Sequence, residues 1–303
     1  AFSASIRPGA DFGCLCRQIF QRNSVGSVDC IVYTICVITE IRIPGQKRSR
    51  LAPDKERSVT SMAFPTDLRK EADTIVAAAI AAAQPDEAVA KALRGADFGS
   101  GRVVLVAAGK GAWQMAHAAS GFLGSRIDTG IVITKYGHVK GPIANLTLCE
   151  AGHPIPDENS FAATQKALDL VQGLKAEDTV LFLLSGGGSA LFEKPLIPPA
   201  DLEQLTQNLL TCGADIVEIN TLRKRFSAVK GGRFAQLCAP AHVFSIVLSD
   251  ILGDPLDMIA SGPAYPDLST AAQAQAIAQK YQLPLTDTMR QLLAQETPKT
   301  LDN

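Results

Sequence analysis

The stretch Val180-Leu181-Phe182-Leu183-Leu184-Ser185-Gly186-Gly187-Gly188-Ser189-Ala190 runs five apolar residues into three glycines framed by serines. An unbroken apolar run of this length suits a strand buried on both faces, as in a parallel sheet covered by helices. Four more runs read the same way, at residues 103–107, 131–134, 146–149 and 243–248, with stretches of helical period between them. Ahead of these, Thr66 can cap a helix whose apolar positions Leu68, Ala72, Ile75, Val76, Ala79, Ile80 and Ala83 share one face. Pro85, Asp86 and Glu87 open a second helix, which Gly95 stops. The alternation predicts an α/β fold, a mainly parallel, Rossmann-like sheet with helices on both faces; strand order is not written in these patterns. Ligands of such sheets bind beyond the carboxyl ends of the strands, so the residues after each run are the candidates for chemistry.

Three glycines let backbone amides turn inward around phosphate oxygens without side-chain clash, so Ser185, Gly186, Gly187, Gly188 and Ser189 form a candidate phosphate or nucleotide nest. The alternative is a tight strand-to-helix turn that holds nothing. After the run at 103–107 comes Gly109-Lys110-Gly111 and a helical stretch from Ala112. A lysine at a helix N-terminus is locally unfavourable unless an anion lies between them, so Lys110 points to a phosphate or carboxylate; a surface lysine in solvent is the competing reading. The stretch is no dinucleotide fingerprint, because Gln114 stands where the third glycine belongs and Lys135 follows the next strand in place of an acid. Asn220, Arg223, Ser227 and Lys230 recur at helical spacing opposite Ile219, Leu222, Phe226 and Val229, gathering positive charge on one face; an ordinary basic helix end gives the same pattern. Asp250, just past the run at 243–248, is the candidate Mg²⁺ ligand, with turn capping as the alternative for it and for Asp254. His138 and His153 lie in loop-like contexts from which they could contact substrate, with structural histidines the favoured reading.

Of the 303 residues 47% are hydrophobic and 19% charged, enough apolar material for a sizeable core. A net charge of −1 and 6% aromatic residues argue against a nucleic-acid partner or an anionic membrane surface. The seven cysteines form neither a disulfide framework nor a zinc pattern, which predicts free thiols in a reducing cytoplasm. Residues 1–61 differ in character: they hold nine basic residues against five acidic, and they lack a sustained period apart from a β-branched run at 28–43 that could pair as one or two strands. They are expected to be poorly ordered and to lie outside a domain spanning 62–303.

Taken in order, the segments resemble the type-2 glycerate kinase family over nearly all of residues 62–303. The resemblance is carried by Ala108-Gly-Lys-Gly-Ala112, Ile133-Thr-Lys-Tyr-Gly-His138, Glu150-Ala-Gly-His-Pro-Ile-Pro-Asp157, Leu184-Ser-Gly-Gly-Gly-Ser-Ala-Leu191, Ile219-Asn-Thr-Leu-Arg-Lys224, Lys230-Gly-Gly-Arg233, Leu248-Ser-Asp250, Gly253-Asp-Pro255 and Ile259-Ala-Ser-Gly-Pro263. It implies ATP- and Mg²⁺-dependent phosphorylation of D-glycerate at the 2-hydroxyl, in a cleft between two domains, with Lys110 the essential lysine. Arg223, Lys230 and Asn220 would then meet substrate, Arg223 and Lys230 through the glycerate carboxylate or a nucleotide phosphate. A homo-oligomer is compatible with it. Ala264 replaces a frequent threonine, and Arg225-Phe226 a frequent His-Leu pair. The family carries a C-terminal domain after a linker like Glu296-Thr-Pro-Lys299, so this stretch of sequence is expected to lack the second wall of the cleft and to be inactive alone. Hydroxypyruvate reductase, a label given to some members, and a non-catalytic phosphosugar-binding module are the rival readings.

Overall fold

In the computed structural model, residues 32–34 and 66–301 are described. Six strands, β1 (Val32–Thr34), β2 (Val103–Ala108), β3 (Thr129–Lys135), β4 (Leu146–Ala151), β5 (Thr179–Ser185) and β6 (His242–Ser249), form one sheet in the order β1-β6-β5-β2-β3-β4. Every neighbouring pair is parallel. From β2 in the middle the chain lays β3 and β4 outward, then crosses back to place β5 on the other flank of β2. The order therefore reverses between β2 and β5, and a crevice opens at their carboxyl ends. From the segment assigned to the extension, Val32–Thr34 runs beside β6 in register Val32↔Val247. The rest of that segment, with the expectation of poor order, lies outside the described residues.

Side chains alternate across the pleat, so each continuous apolar run feeds both faces. Val104, Val106, Phe182 and Leu184 pack on one face with Phe192, Val229 and Phe234. Val103, Leu105, Leu181 and Leu183 pack on the other with Trp113 and Met115 of α3 (Ala112–Leu123) and Val89 of α2 (Asp86–Leu93). The first helix, α1 (Thr66–Ala82), forms as its period predicts, yet its apolar stripe is exposed, Ile75 by 69%. Remaining helices are α4 (Glu158–Val171), α5 (Gly188–Leu191), α6 (Pro199–Thr211), α7 (Ile216–Arg225), α8 (Arg233–Cys238), α9 (Ala271–Lys280) and α10 (Asp287–Leu293). Cys149, Cys212 and Cys238 are free thiols. Among the described residues no helix is long and apolar enough to cross a membrane.

A separate cluster joins α6, α7, α9 and α10 through Leu202, Leu205, Leu222, Phe226, Ala274 and Met289. At its edge Glu218 accepts from Lys280 Nζ (2.7 Å) and Tyr281 Oη (2.6 Å), the first and then the second of these holding its carboxyl down to about 2. The helix expected to carry Asn220 through Lys230 ends at Arg225 instead. Two backbone bonds to the neighbouring segment, Leu196 N to Phe226 O and Ala228 N to Lys194 O, pull the chain off its helical path. Arg233 closes the end, its Nη1 donating to the carbonyls of Lys224 and Ser227, groups that a helix terminus leaves unsatisfied. The linker-like residues from Glu296 are fastened into the domain: Glu296 pairs with Arg225 (3.3 Å), and Thr297 Oγ1 donates to Asp267 (2.7 Å).

Candidate functional site

The loops after β2 and β5 are stapled together at the crevice. Lys110 N donates to Gly186 O (2.9 Å), and Gly111 N donates to Ser185 Oγ (3.0 Å). Ser185 is thus committed to holding the two loops in register, while Ser189 is half-buried and lies 3.5 Å from Ser261 Oγ. The glycines are needed because neighbours crowd them. A Cβ on Gly186 would strike the Asp250 carboxylate, and one on Gly187 would lie 3.0 Å from His153 Nε2 and 3.1 Å from Lys110 Cγ. Gly187 also holds a left-handed φ of 88°, which a side chain resists. Lys110, His153 and Asp250, expected from three separate stretches, therefore gather round one glycine loop.

Lys110 is exposed and makes no ion pair among the described residues, its Cγ lying beside Gly187. Its backbone carbonyl is 3.1 Å from His138 Nδ1, which gives that histidine a loop-fixing contact. Asp250 is exposed beside Gly186. Among the described residues no three His, Cys, Asp or Glu side chains cluster as a metal cage. A single carboxylate beside a glycine loop nevertheless suits Mg²⁺, which usually takes one or two protein carboxylates and completes its shell with phosphate and water.

Burial first, then the charges of Lys110 and Lys135, lower the pKa of His153 from its ordinary 6.5. The imidazole is accordingly neutral at pH 7. An NMR titration is expected to place its midpoint below 6.5, and Lys110→Ala to move that midpoint upward; an unmoved midpoint would separate the two residues.

The remaining expected contacts are dispersed. Asn220 is buried, its Oδ1 accepting from Ser261 Oγ (3.1 Å) and its Nδ2 facing Met258 Sδ (3.8 Å). Lys230, expected at substrate, is instead 0% exposed, its Nζ donating to Glu193 Oε2 (2.6 Å) and to Phe192 O (3.0 Å). Lost hydration had to be replaced once the turn after α7 turned it inward, and Glu193 does so. Arg223 remains half-buried on the wall of a chamber of about 370 Å³ that adjoins Ser189. Sequence reasoning missed Glu193 and this chamber; Glu193 has no glycine, motif or spacing around it that would single it out. Gln114, which breaks the dinucleotide pattern, has a structural use, donating to Asp86 at 2.7 Å and accepting from Lys140 at 3.0 Å.

Residues 71–294 match the family described as "Domain of unknown function (DUF4147)". A D-glycerate 2-kinase of Thermotoga maritima is 51% identical over 241 residues, which are 79% of this chain and 57% of that protein. A relative from Agrobacterium vitis, provisionally named hydroxypyruvate reductase, is 42% identical over 73% of this chain and 51% of its own length. The crystal structure of a glycerate kinase from Thermotoga maritima superposes with a TM-score of 0.73 at 51% identity, covering 79% of this chain and 58% of that one. The chain thus spans little more than half the length of these relatives.

Proposed function

The chain belongs to the DUF4147 family, and from its identity to a D-glycerate 2-kinase we propose that it forms the phosphate-handling half of an ATP-dependent kinase acting on D-glycerate at the 2-hydroxyl. The observation that carries the reading is the convergence of Lys110, Asp250 and the 185–189 loop at the order reversal of the sheet. Phosphoryl transfer asks a protein mainly to align two oxygens about a phosphorus and to neutralise charge. Backbone amides of the 185–189 loop would hold phosphate oxygens, and the Lys110 ammonium would face charge shifting onto the moving group. Asp250 would hold Mg²⁺, which supplies further charge neutralisation at the phosphates. Arg223 stands where it could meet an anionic group of either substrate, whereas Lys230 and Asn220 support the site from behind. The strong identity to a D-glycerate 2-kinase supports this reading over the reductase and over a bare phosphosugar module. The partners proposed are small molecules in the cytoplasm, with neither nucleic acid nor membrane; a homo-oligomer is compatible with the site.

Thermal-shift titration tests the assignment. Mg-ADP at about 100 times its Kd is expected to add about 2.7 kcal/mol to the folded state. Stabilisation by NADPH in place of Mg-ADP would support the reductase, and stabilisation by sugar phosphates alone would support the binding module. We further propose that the functional domain begins at Met62 and that β1, three residues at the edge of the sheet, adds little to it. A chain starting there is expected to melt within a few degrees of the parent, and a larger fall would move the boundary upstream.

A further inference from the structure

Beside Ser189 the chamber of about 370 Å³ is walled by Pro154 and Ile155 from the loop after β4, Phe161 of α4, and Leu202 and Leu210 of α6. Much of the rest of its wall is polar, with Asp157, Glu158, Glu203 and Gln207 beside Glu193 and Arg223, carboxylates that suit a neutral ligand rich in hydrogen-bond donors. Glu193 lines it and is 3% exposed; one carboxylate oxygen takes the Lys230 ammonium, while the other, Oε1, is buried and accepts no hydrogen bond. A buried acceptor without a donor costs stability until something donates to it. Arg223 lines the same chamber and makes no salt bridge within 4.0 Å among the described residues.

This combination selects a ligand. Glycerate is small, charged and hydroxylated, so it would leave the Phe161, Leu202 and Leu210 surfaces facing water. A group with a flat apolar face and a neighbouring hydroxyl would cover those walls and donate to Glu193, and its phosphates would reach the glycine loop through Ser189. We propose that the chamber is the nucleoside subsite of the phosphoryl donor, the base against Phe161, Leu202 and Leu210, and a ribose hydroxyl donating to Glu193 Oε1. A carboxylate accepting from ribose hydroxyls is a recurrent solution in nucleotide sites. The assignment rests on the kinase reading, because it takes the 185–189 loop to hold the phosphates of the same molecule.

Adenosine separates the two, since it carries base and ribose without phosphate, and pyrophosphate is its complement. Binding of each to the 303-residue chain is to be followed by isothermal titration and ligand-observed NMR. Adenosine is expected to bind with a Kd of about a millimolar or tighter, in line with the efficiency of ligands its size. Thr206→Trp, a half-buried position on the chamber wall, is expected to weaken adenosine at least about ten-fold by filling the space, with pyrophosphate unaffected. Glu193→Gln is expected to weaken adenosine more than 2′,3′-dideoxyadenosine, and Thr206→Trp covers the case that this variant fails to fold. Adenosine that does not bind, or that binds Thr206→Trp as well as the parent, overturns the subsite. Adenosine bound normally without pyrophosphate supports the chamber and counts against the phosphate role of the loop.

Discussion

Lys110→Ala is expected to lower turnover of D-glycerate phosphorylation by about 100- to 1000-fold, the typical loss for one preorganised donor to a developing charge. The measurement is steady-state kinetics on the chain joined to the remaining length that its relatives carry. Lys110 lies on a loop pinned at both ends of its backbone contact with the 185–189 segment, by Lys110 N to Gly186 O and by Gly111 N to Ser185 Oγ. Its Cγ packs over Gly187, so the ammonium needs little reorganisation to meet a phosphoryl group held in that loop. An interaction of this kind gains most as charge moves in the transition state, so kcat falls while glycerate binding changes little. Near-normal turnover in the alanine variant would return Lys110 to the solvent-facing role that its exposure alone would allow. Full rescue by Lys110→Arg would mean that positive charge suffices and that the shape of the ammonium is not used.

Asp267→Ala is expected to cost about 3–5 kcal/mol, the range for breaking a buried ion pair from one side. For a domain of this size that is a fall of about 6–20 °C in Tm. Asp267 is 1% exposed and receives Lys224 Nζ at 3.0 Å, Ser269 N at 3.0 Å and Thr297 Oγ1 at 2.7 Å, with Arg225 Nη2 4.0 Å away. Its loss leaves Lys224 and Arg225, both fully buried, short of negative charge, with Asp257 at 3.4 Å and the half-exposed Glu296 as what remains. Burial pushes the Asp267 carboxyl up, but Thr297, the Lys224 charge and the Ser269 N–H outweigh it and hold the pKa below the ordinary 3.8. A carboxyl lowered on folding stabilises the protein above its unfolded pKa, and the contribution disappears as pH falls through the folded value. Denaturant melts should therefore lose stability below about pH 4, and Asp267→Asn, equal in shape, should flatten that acid limb. A loss under about 1 kcal/mol for the alanine variant would show that the cations find other partners.

Apolar runs and glycines were enough to write the layers of this fold. Five near-continuous apolar or β-branched runs fit strands of a sheet covered by helices, and each was found within one or two residues of its reading. Local chemistry likewise marked Lys110, the 185–189 loop and Asp250, because a charge or a glycine cluster beyond a buried strand is visible one segment at a time. The basic face at 220–230 misled for the same reason. Spacing in sequence assumes a continuous helix, and whether the helix continues is decided by Lys194 and Leu196, backbone partners some thirty residues away that end it at Arg225. That ending turned Lys230 inward onto Glu193 and left Arg223 on the chamber wall. Sequence by itself thus determined which elements form and which side chains stand at their carboxyl ends, since hydrophobic period and local charge are short-range properties. Only the tertiary structure decided that Lys110, His153 and Asp250 gather round one glycine loop, that Glu193 lines a chamber with one carboxylate oxygen buried and unpartnered, and that Glu296 and Thr297 close the domain. Those relations depend on strand order and long-range pairing, where the gain comes from desolvated contacts between segments that no local pattern connects.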